Sequence, residues 1–271
     1  LSTPALHAAF VAGARDAGAT VTDLGLVATP QLYFASGSAS LPGVMITASH
    51  SPKEYNGLKL VHALAIPLTK RNGITQIMKR VKKGQWQPVA KRGGLKKKNI
   101  DAAYAKFVFA GVKSKKYTGL RIATDIGNGM AHDLIPLLRA KLPIHFDTLF
   151  AKLDGHFPNR DSDPNLHENQ IALDSKIDHG HYDFGIAFDG DADRIAFLDE
   201  HGTYVNSAAI GALIAARILA REPKAKIAST NLNSRIYDET IKAHGGQGRH
   251  GADGAHVCQR RNAQTSGRVW L

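Results

Sequence analysis

The chain contains a single cysteine, Cys258, so no intramolecular disulfide can form. No uninterrupted apolar run approaches the roughly 18 residues that a membrane-crossing helix needs, so no membrane partner is expected. A cytoplasmic protein in a reducing compartment is the economical reading. Acidic residues are absent between Lys79 and Lys98, where Lys79, Arg80, Lys82, Lys83, Lys91, Arg92, Lys96, Lys97 and Lys98 carry most of the formal net charge of +12. Clustered cations of this kind can neutralise nucleic-acid phosphates. These are interspersed with Gly84, Pro88, Gly93 and Gly94, and the segment reads as a solvated basic loop more readily than as a nucleic-acid surface. The first residue is Leu1 rather than methionine, so the natural N-terminus, with any targeting peptide, is expected to lie upstream.

The 271 residues, 43% of them hydrophobic, suffice for a sizeable core and for two or more domains. Ser2-Thr3-Pro4 has the chemistry of a helix start, apolar residues follow at near-helical spacing, and Gly18 stops the run. Val21 to Leu26 reads as a strand, Thr29-Pro30 restarts a helix, and Val44 to Thr47 is a buried strand, which together suggest β/α alternation. Leu58 to Val61 resumes a strand after a polar loop, and Ile100 to Val112 reads as a helix joining two domains. A second strand-turn-helix unit runs from Leu120 through Gly127-Asn128-Gly129 to Leu142. A helix over Glu168 to Asp178 and the strands Phe184 to Phe188 and Ile195 to Leu198 follow. A third unit begins with a helix at Ser207, a strand at Lys226 to Ser229 and a helix from Ser234 to Ala243; the Gly-, His- and Arg-rich tail after Gly245 has no clear periodicity.

Between the two apolar strands lies Asp189-Gly190-Asp191-Ala192-Asp193-Arg194. Carboxylates at alternate positions of a tight loop can converge on a hard divalent cation, and oxygen-only ligands favour Mg²⁺ or Ca²⁺ over zinc. A turn whose aspartates bond backbone amides is the plainer alternative. A calcium loop of the EF-hand type would use Asp189, Asp191, Asp193 and Glu200, but Arg194 stands where that loop needs glycine and the flanks read as strands. Arg194 sets a guanidinium beside the carboxylates, an arrangement suited to phosphoryl oxygens. Ser49, at the end of a strand and next to His50, could be a nucleophile, although a lone Ser-His pair is common in turns.

The string Gly43-Val44-Met45-Ile46-Thr47-Ala48-Ser49-His50-Ser51-Pro52-Lys53-Glu54-Tyr55-Asn56-Gly57-Leu58-Lys59 closely resembles the phosphoserine loop of the α-D-phosphohexomutases, with Ser51 where the family usually has Asn. Asp189 to Arg194 resembles the same family's metal loop. Gly127-Asn128-Gly129 and Asp154-Gly155-His156-Phe157-Pro158-Asn159 resemble its second-domain landmarks. The branch most similar is bacterial phosphomannomutase/phosphoglucomutase.

The resemblance implies a multidomain α/β architecture: residues 1–98 as domain 1 with the phosphoserine loop, 99–204 as domain 2 with the metal loop, 205–271 as part of domain 3, and a fourth domain outside the chain. It implies Ser49 as the phosphoserine, Mg²⁺ held by that phosphate with Asp189, Asp191 and Asp193, and Arg194 on the phosphoryl group. His50 and Lys59 match positions implicated in active-site support and proton transfer. Lys59 is the candidate general base if burial and cationic neighbours lower its pKa. The implied activity interconverts hexose 1-phosphate and hexose 6-phosphate, of mannose or glucose, through a hexose 1,6-bisphosphate. A metal-dependent sugar phosphate phosphohydrolase and a non-enzymatic calcium-binding module are the alternatives. In the third domain Gly254 and Cys258 fall where the family has a histidine and a lysine, so those roles do not carry over, and His256 has no assigned role. Without a sugar loop or a fourth domain, the 271 residues alone are expected to turn over poorly.

Overall fold

The computed structural model describes residues 1–84, 86–110, 112, 117–230 and 234–251. Gly254, His256 and Cys258 lie outside the described residues. Among the described residues no helix is long and apolar enough to cross a membrane.

The best-packed part is a five-stranded sheet built from β6 (Arg121–Asp125), β7 (His145–Leu149), β8 (Phe184–Phe188), β9 (Ile195–Leu198) and β10 (Tyr204–Val205), in the order β10-β9-β8-β6-β7. β7 and β8 both pair parallel to β6, whereas β8–β9 and β9–β10 are antiparallel. Successive strand side chains point to opposite faces, and both faces here are apolar. Ile122, Ile186 and Phe188 join Ile126, Ala131, Ile135 and Phe146 on one face, under helix α5 (Ala131–Lys141). Ala123, Ala187, Ala196 and Leu198 pack with Leu173 and Ile177 of helix α6 (Ile171–Asp178) on the other. Chain order reverses at β6, because β7 lies on one side of it and β8 on the other. In parallel sheets a crevice opens at the carboxyl ends of strands flanking such a reversal. Asp125 ends β6 there, and Asp189 directly follows β8.

The residues before this unit form helix α1 (Thr3–Asp16), β1 (Val21–Asp23), helix α2 (Thr29–Ala39), β2 (Gly43–Ile46), β3 (Leu58–His62), β4 (Ile66–Pro67), helix α3 (Thr75–Lys83), β5 (Leu95–Lys97) and helix α4 (Asp101–Val108). The expected β/α alternation holds only in part, because β2, β3 and β4 form an antiparallel meander while β1 pairs parallel to β5. The first strand stops at Asp23, whose carboxylate accepts a hydrogen bond from Gly25 N and turns the chain. The basic stretch is not a loop throughout: Lys79, Arg80, Lys82 and Lys83 lie on α3, and Lys96 and Lys97 lie on β5. Both elements are exposed, but α3 carries Ile77, Met78 and Val81, after Ile74 at its N-cap, at helical spacing between its cations, a period that the basic composition masked. Ser2 does not cap α1 with its side chain; Asn56 Nδ2 instead donates to Ser2 Oγ at 3.1 Å and Thr3 Oγ1 at 2.9 Å.

After β10 come helix α7 (Ser207–Leu219), capped by Asn206, then β11 (Lys226–Thr230), helix α8 (Arg235–Ala243) and β12 (Gln247–Gly251). Ala215, Leu219, Ile227 and Ile241 make a small core. The tail is less irregular than its composition suggests, since β12 pairs parallel with β11.

A buried ion pair supports the crevice. Arg160 Nε donates to Asp125 Oδ2 at 2.7 Å, and its other nitrogens donate to the carbonyls of Asp161 and Phe188, each at 2.8 Å. Burial pushes the Asp125 carboxyl up against the opposing pull of Arg160. Removing one partner of such a pair strands the other in low dielectric. Arg160→Met is expected to destabilise the fold by about 3–5 kcal/mol, read as a lowered urea midpoint with an unchanged m-value.

Candidate active site

Ser49 lies just beyond β2, an edge strand, in a turn that forces it into the left-handed region at φ 54°. A non-glycine residue pays for that conformation with about 1–3 kcal/mol of strain, which surrounding bonds must hold. Ser49 N donates to Thr47 Oγ1 at 2.9 Å, Thr47 N to Gly57 O at 3.0 Å, and Ser51 N to Ala48 O at 3.0 Å. The turn thereby presents Ser49 Oγ to Asp189, donating to Oδ2 at 3.2 Å, with His50 Nδ1 at 3.4 Å.

The aspartate loop is the connection of the β8–β9 hairpin, not a link between helices, so the calcium-loop geometry does not apply. Asp189 Oδ1 accepts from the backbone N–H groups of Asp193 and Arg194, both at 3.0 Å, and Ala192 closes the turn at φ 57°. These bonds bring Asp189, Asp191 and Asp193 together, with one oxygen of each within 4.8 Å of the others. Asp189 and Asp191 are buried. Burial, then the charges of Asp191 and Asp193, pushes the Asp189 carboxyl up to about 7. Burial also acts to raise Asp191, but hydrogen bonds from Lys59 and Thr29 outweigh it and hold that carboxyl low.

Three clustered carboxylates with a buried and unbonded oxygen, Asp191 Oδ1, suit a hard divalent cation by donor type and by electrostatics. The backbone-bonded turn and a cation site are compatible, since Asp189 Oδ1 accepts the turn's hydrogen bonds while the three carboxylates still cluster.

Lys59, on β3, reaches the same cluster, with Nζ at 2.7 Å from Asp191 Oδ2 and 2.6 Å from Asp193 Oδ2. Its neighbours are anions, which favour the charged ammonium. Burial alone would lower Lys59, yet the two carboxylates prevail and raise it, so the ammonium is held protonated. Arg194 contributes its backbone to the loop, and its side chain is exposed.

Sequence reasoning missed Thr29 and Thr47 as parts of this centre. Both hydroxyls donate to Asp191 Oδ2, at 2.7 Å and 3.1 Å. It also missed Arg160, although the flanking landmarks pointed there: Asn159 Nδ2 donates to Asn128 Oδ1 at 2.8 Å, and Asp154 N to Asn128 O at 3.0 Å, which ties the long loop to the turn after β6.

The serine turn and the aspartate loop meet backbone to backbone at Gly190. A Cβ there would lie 2.9 Å from Ser49 O and 3.2 Å from the Phe157 ring.

Known proteins share this fold. Residues 1–87 match the family model for phosphoglucomutase/phosphomannomutase alpha/beta/alpha domain I, and residues 100–202 match the model for domain II. The chain belongs to the phosphoglucomutase/phosphomannomutase family, which is metal-dependent. It is 35% identical to the phosphohexose mutases of Xanthomonas campestris over 84% of this chain and 51% of the relative. With the phosphomannomutase/phosphoglucomutase of Pseudomonas putida the identity is 34%, over 98% of this chain and 56% of the relative. A crystal structure of a family protein from Burkholderia thailandensis superposes with a TM-score of 0.85 at 29% identity, covering 97% of this chain and 58% of that one. The chain therefore spans about half the length of the curated relatives it matches.

Because the atom that Cβ would strike is backbone, Gly190→Ala must push the two loops apart. The expected cost is about 1–3 kcal/mol, as for other overpacked sites, visible as a lowered urea midpoint.

Proposed function

We propose that this protein is a phosphohexomutase that interconverts the 1-phosphate and 6-phosphate of mannose or glucose through a phosphorylated Ser49 and a hexose 1,6-bisphosphate. The observation that carries the reading is the approach of Ser49 Oγ to 3.2 Å from Asp189, at the edge of a three-carboxylate cluster. Family membership supports the reaction class. Residues 1–98, 99–204 and 205–271 are proposed as its first domain, second domain and part of its third.

In the proposed cycle the bond between phosphorus and Ser49 Oγ breaks as a sugar hydroxyl oxygen bonds to phosphorus, and the hydroxyl proton leaves to a protein base. Ser49 Oγ leaves as the hydroxyl by taking up a proton. The bisphosphate then turns over, Ser49 Oγ gives up that proton and bonds to the other phosphorus, and the bond from that phosphorus to the sugar oxygen breaks. The sugar oxygen recovers the proton held by the base. Phosphoryl transfer of this kind depends on positioning and charge neutralisation. Asp189, Asp191 and Asp193, with the Ser49 phosphate, would hold Mg²⁺, whose bound chemistry is to neutralise phosphoryl charge. Arg194 contacts the phosphoryl oxygens from the exposed side of the loop. His50 supports Ser49 Oγ. Lys59 becomes a base for the sugar hydroxyl only after releasing Asp191 and Asp193 and giving up a proton; while paired, it places positive charge beside the transferring group.

Incubation with a hexose 1,6-bisphosphate followed by intact mass and peptide mapping is expected to show one added phosphate on Ser49, and none on Ser49→Ala. Persistent absence of that phosphate contradicts the mutase cycle, and steady release of inorganic phosphate would instead indicate a phosphohydrolase.

A further inference from the structure

The two oxygens of Asp191 are treated very differently. Oδ2 accepts from three donors: Thr29 Oγ1 at 2.7 Å, Lys59 Nζ at 2.7 Å and Thr47 Oγ1 at 3.1 Å. A carboxylate offers about four lone-pair sites over its two oxygens, so Oδ2 is fully used. Oδ1 is buried and accepts no hydrogen bond from the described residues. A buried acceptor left unpaired is unfavourable unless something else takes its lone pairs.

We propose that Thr29 and Thr47 are positioning residues that pin Asp191 through Oδ2 and so aim Oδ1 at the divalent cation. This rests on the metal-centre reading above and adds to it residues outside the aspartate loop. Thr29 is fully buried at the start of α2 and grips Asp191 twice, since its backbone N also donates to Asp191 O at 3.1 Å. Its hydroxyl has no access to solvent, so losing it cannot be made good by water. Thr47 has a second task. Its single hydroxyl proton goes to Asp191, and its oxygen accepts from Ser49 N at 2.9 Å. One side chain thereby links the backbone of the proposed phosphoserine to the carboxylate that faces the cation. Neither threonine touches a reacting atom. Supporting partners of metal ligands fix ligand orientation, and their loss commonly weakens the metal by about 10–100-fold.

The test is Mn²⁺ titrated into the full chain, with free Mn²⁺ followed by its electron paramagnetic resonance signal, in wild type, Thr29→Val, Thr29→Ser and Thr47→Val. Thermal unfolding without metal is recorded for each. Valine keeps the shape and removes the hydroxyl, whereas serine restores it. The expected result is about 10–100-fold weaker Mn²⁺ binding in both valine variants, with affinity recovered in Thr29→Ser. If Thr29→Val fails to fold, Thr47→Val against wild type decides by the same criterion. Folded valine variants that bind Mn²⁺ as tightly as wild type overturn the proposal, even if they unfold at lower temperature, because that pattern belongs to a merely structural contact. Wild type that binds no Mn²⁺ overturns it differently, by removing the metal-centre reading on which it rests.

Discussion

The Asp191 carboxylate is the joint on which the site depends. It belongs to the hairpin loop after β8, yet its three hydrogen-bond donors, Thr29, Thr47 and Lys59, all come from α2, β3 and the turn after β2. Each donor would otherwise be a buried or half-buried polar group in search of a partner. Their convergence holds the serine turn against the aspartate loop, with Gly190 permitting the backbone contact. The five-stranded sheet supplies the rigid side of that joint: β8 is packed on both faces, and Arg160 ties the carbonyl of Phe188, the last residue before Asp189, to Asp125 on β6.

The arrangement concentrates unfavourable features. Ser49 and Ala192 take left-handed conformations, Asp189 is driven up to about 7, and one oxygen of Asp191 is buried without a donor among the described residues. Strain and buried charge persist where surrounding structure over-determines them, and they gather at functional sites. The proposed function gives all of them one chemical cause. A cation among the carboxylates and a phosphoryl group on Ser49 would relieve each other's charge at the place where the two loops touch.

Much of this was legible in the amino-acid order. Phe184 to Phe188 reads as a buried strand because it is apolar throughout, and the alternating aspartates that follow announce their convergence. What escaped reading did so for physical reasons. β7, His145–Leu149, carries polar residues and lacks a continuous apolar signature, although Phe146 is buried. β5 is short and exposed throughout, so burial left no period in it, and the dense run of cations on α3 masked the helical spacing of Ile74, Ile77, Met78 and Val81. Thr29 looks like an ordinary helix start, since its tie to Asp191 spans 162 residues and nothing local encodes it. Lys59 qualified as a base only on the condition of burial and cationic neighbours, which sequence order cannot test, and its neighbours in space are Asp191 and Asp193.

The central claim is that Ser49 and the three aspartates form one centre rather than two motifs that happen to adjoin. The most direct test is electron–nuclear double resonance on Mn²⁺ bound to protein whose Ser49 has been phosphorylated by a hexose 1,6-bisphosphate. The account predicts a ³¹P hyperfine coupling of the size given by a directly coordinated phosphate, lost in Ser49→Ala. Bound Mn²⁺ with no phosphorus coupling, in protein confirmed by mass to carry the phosphate, would contradict it.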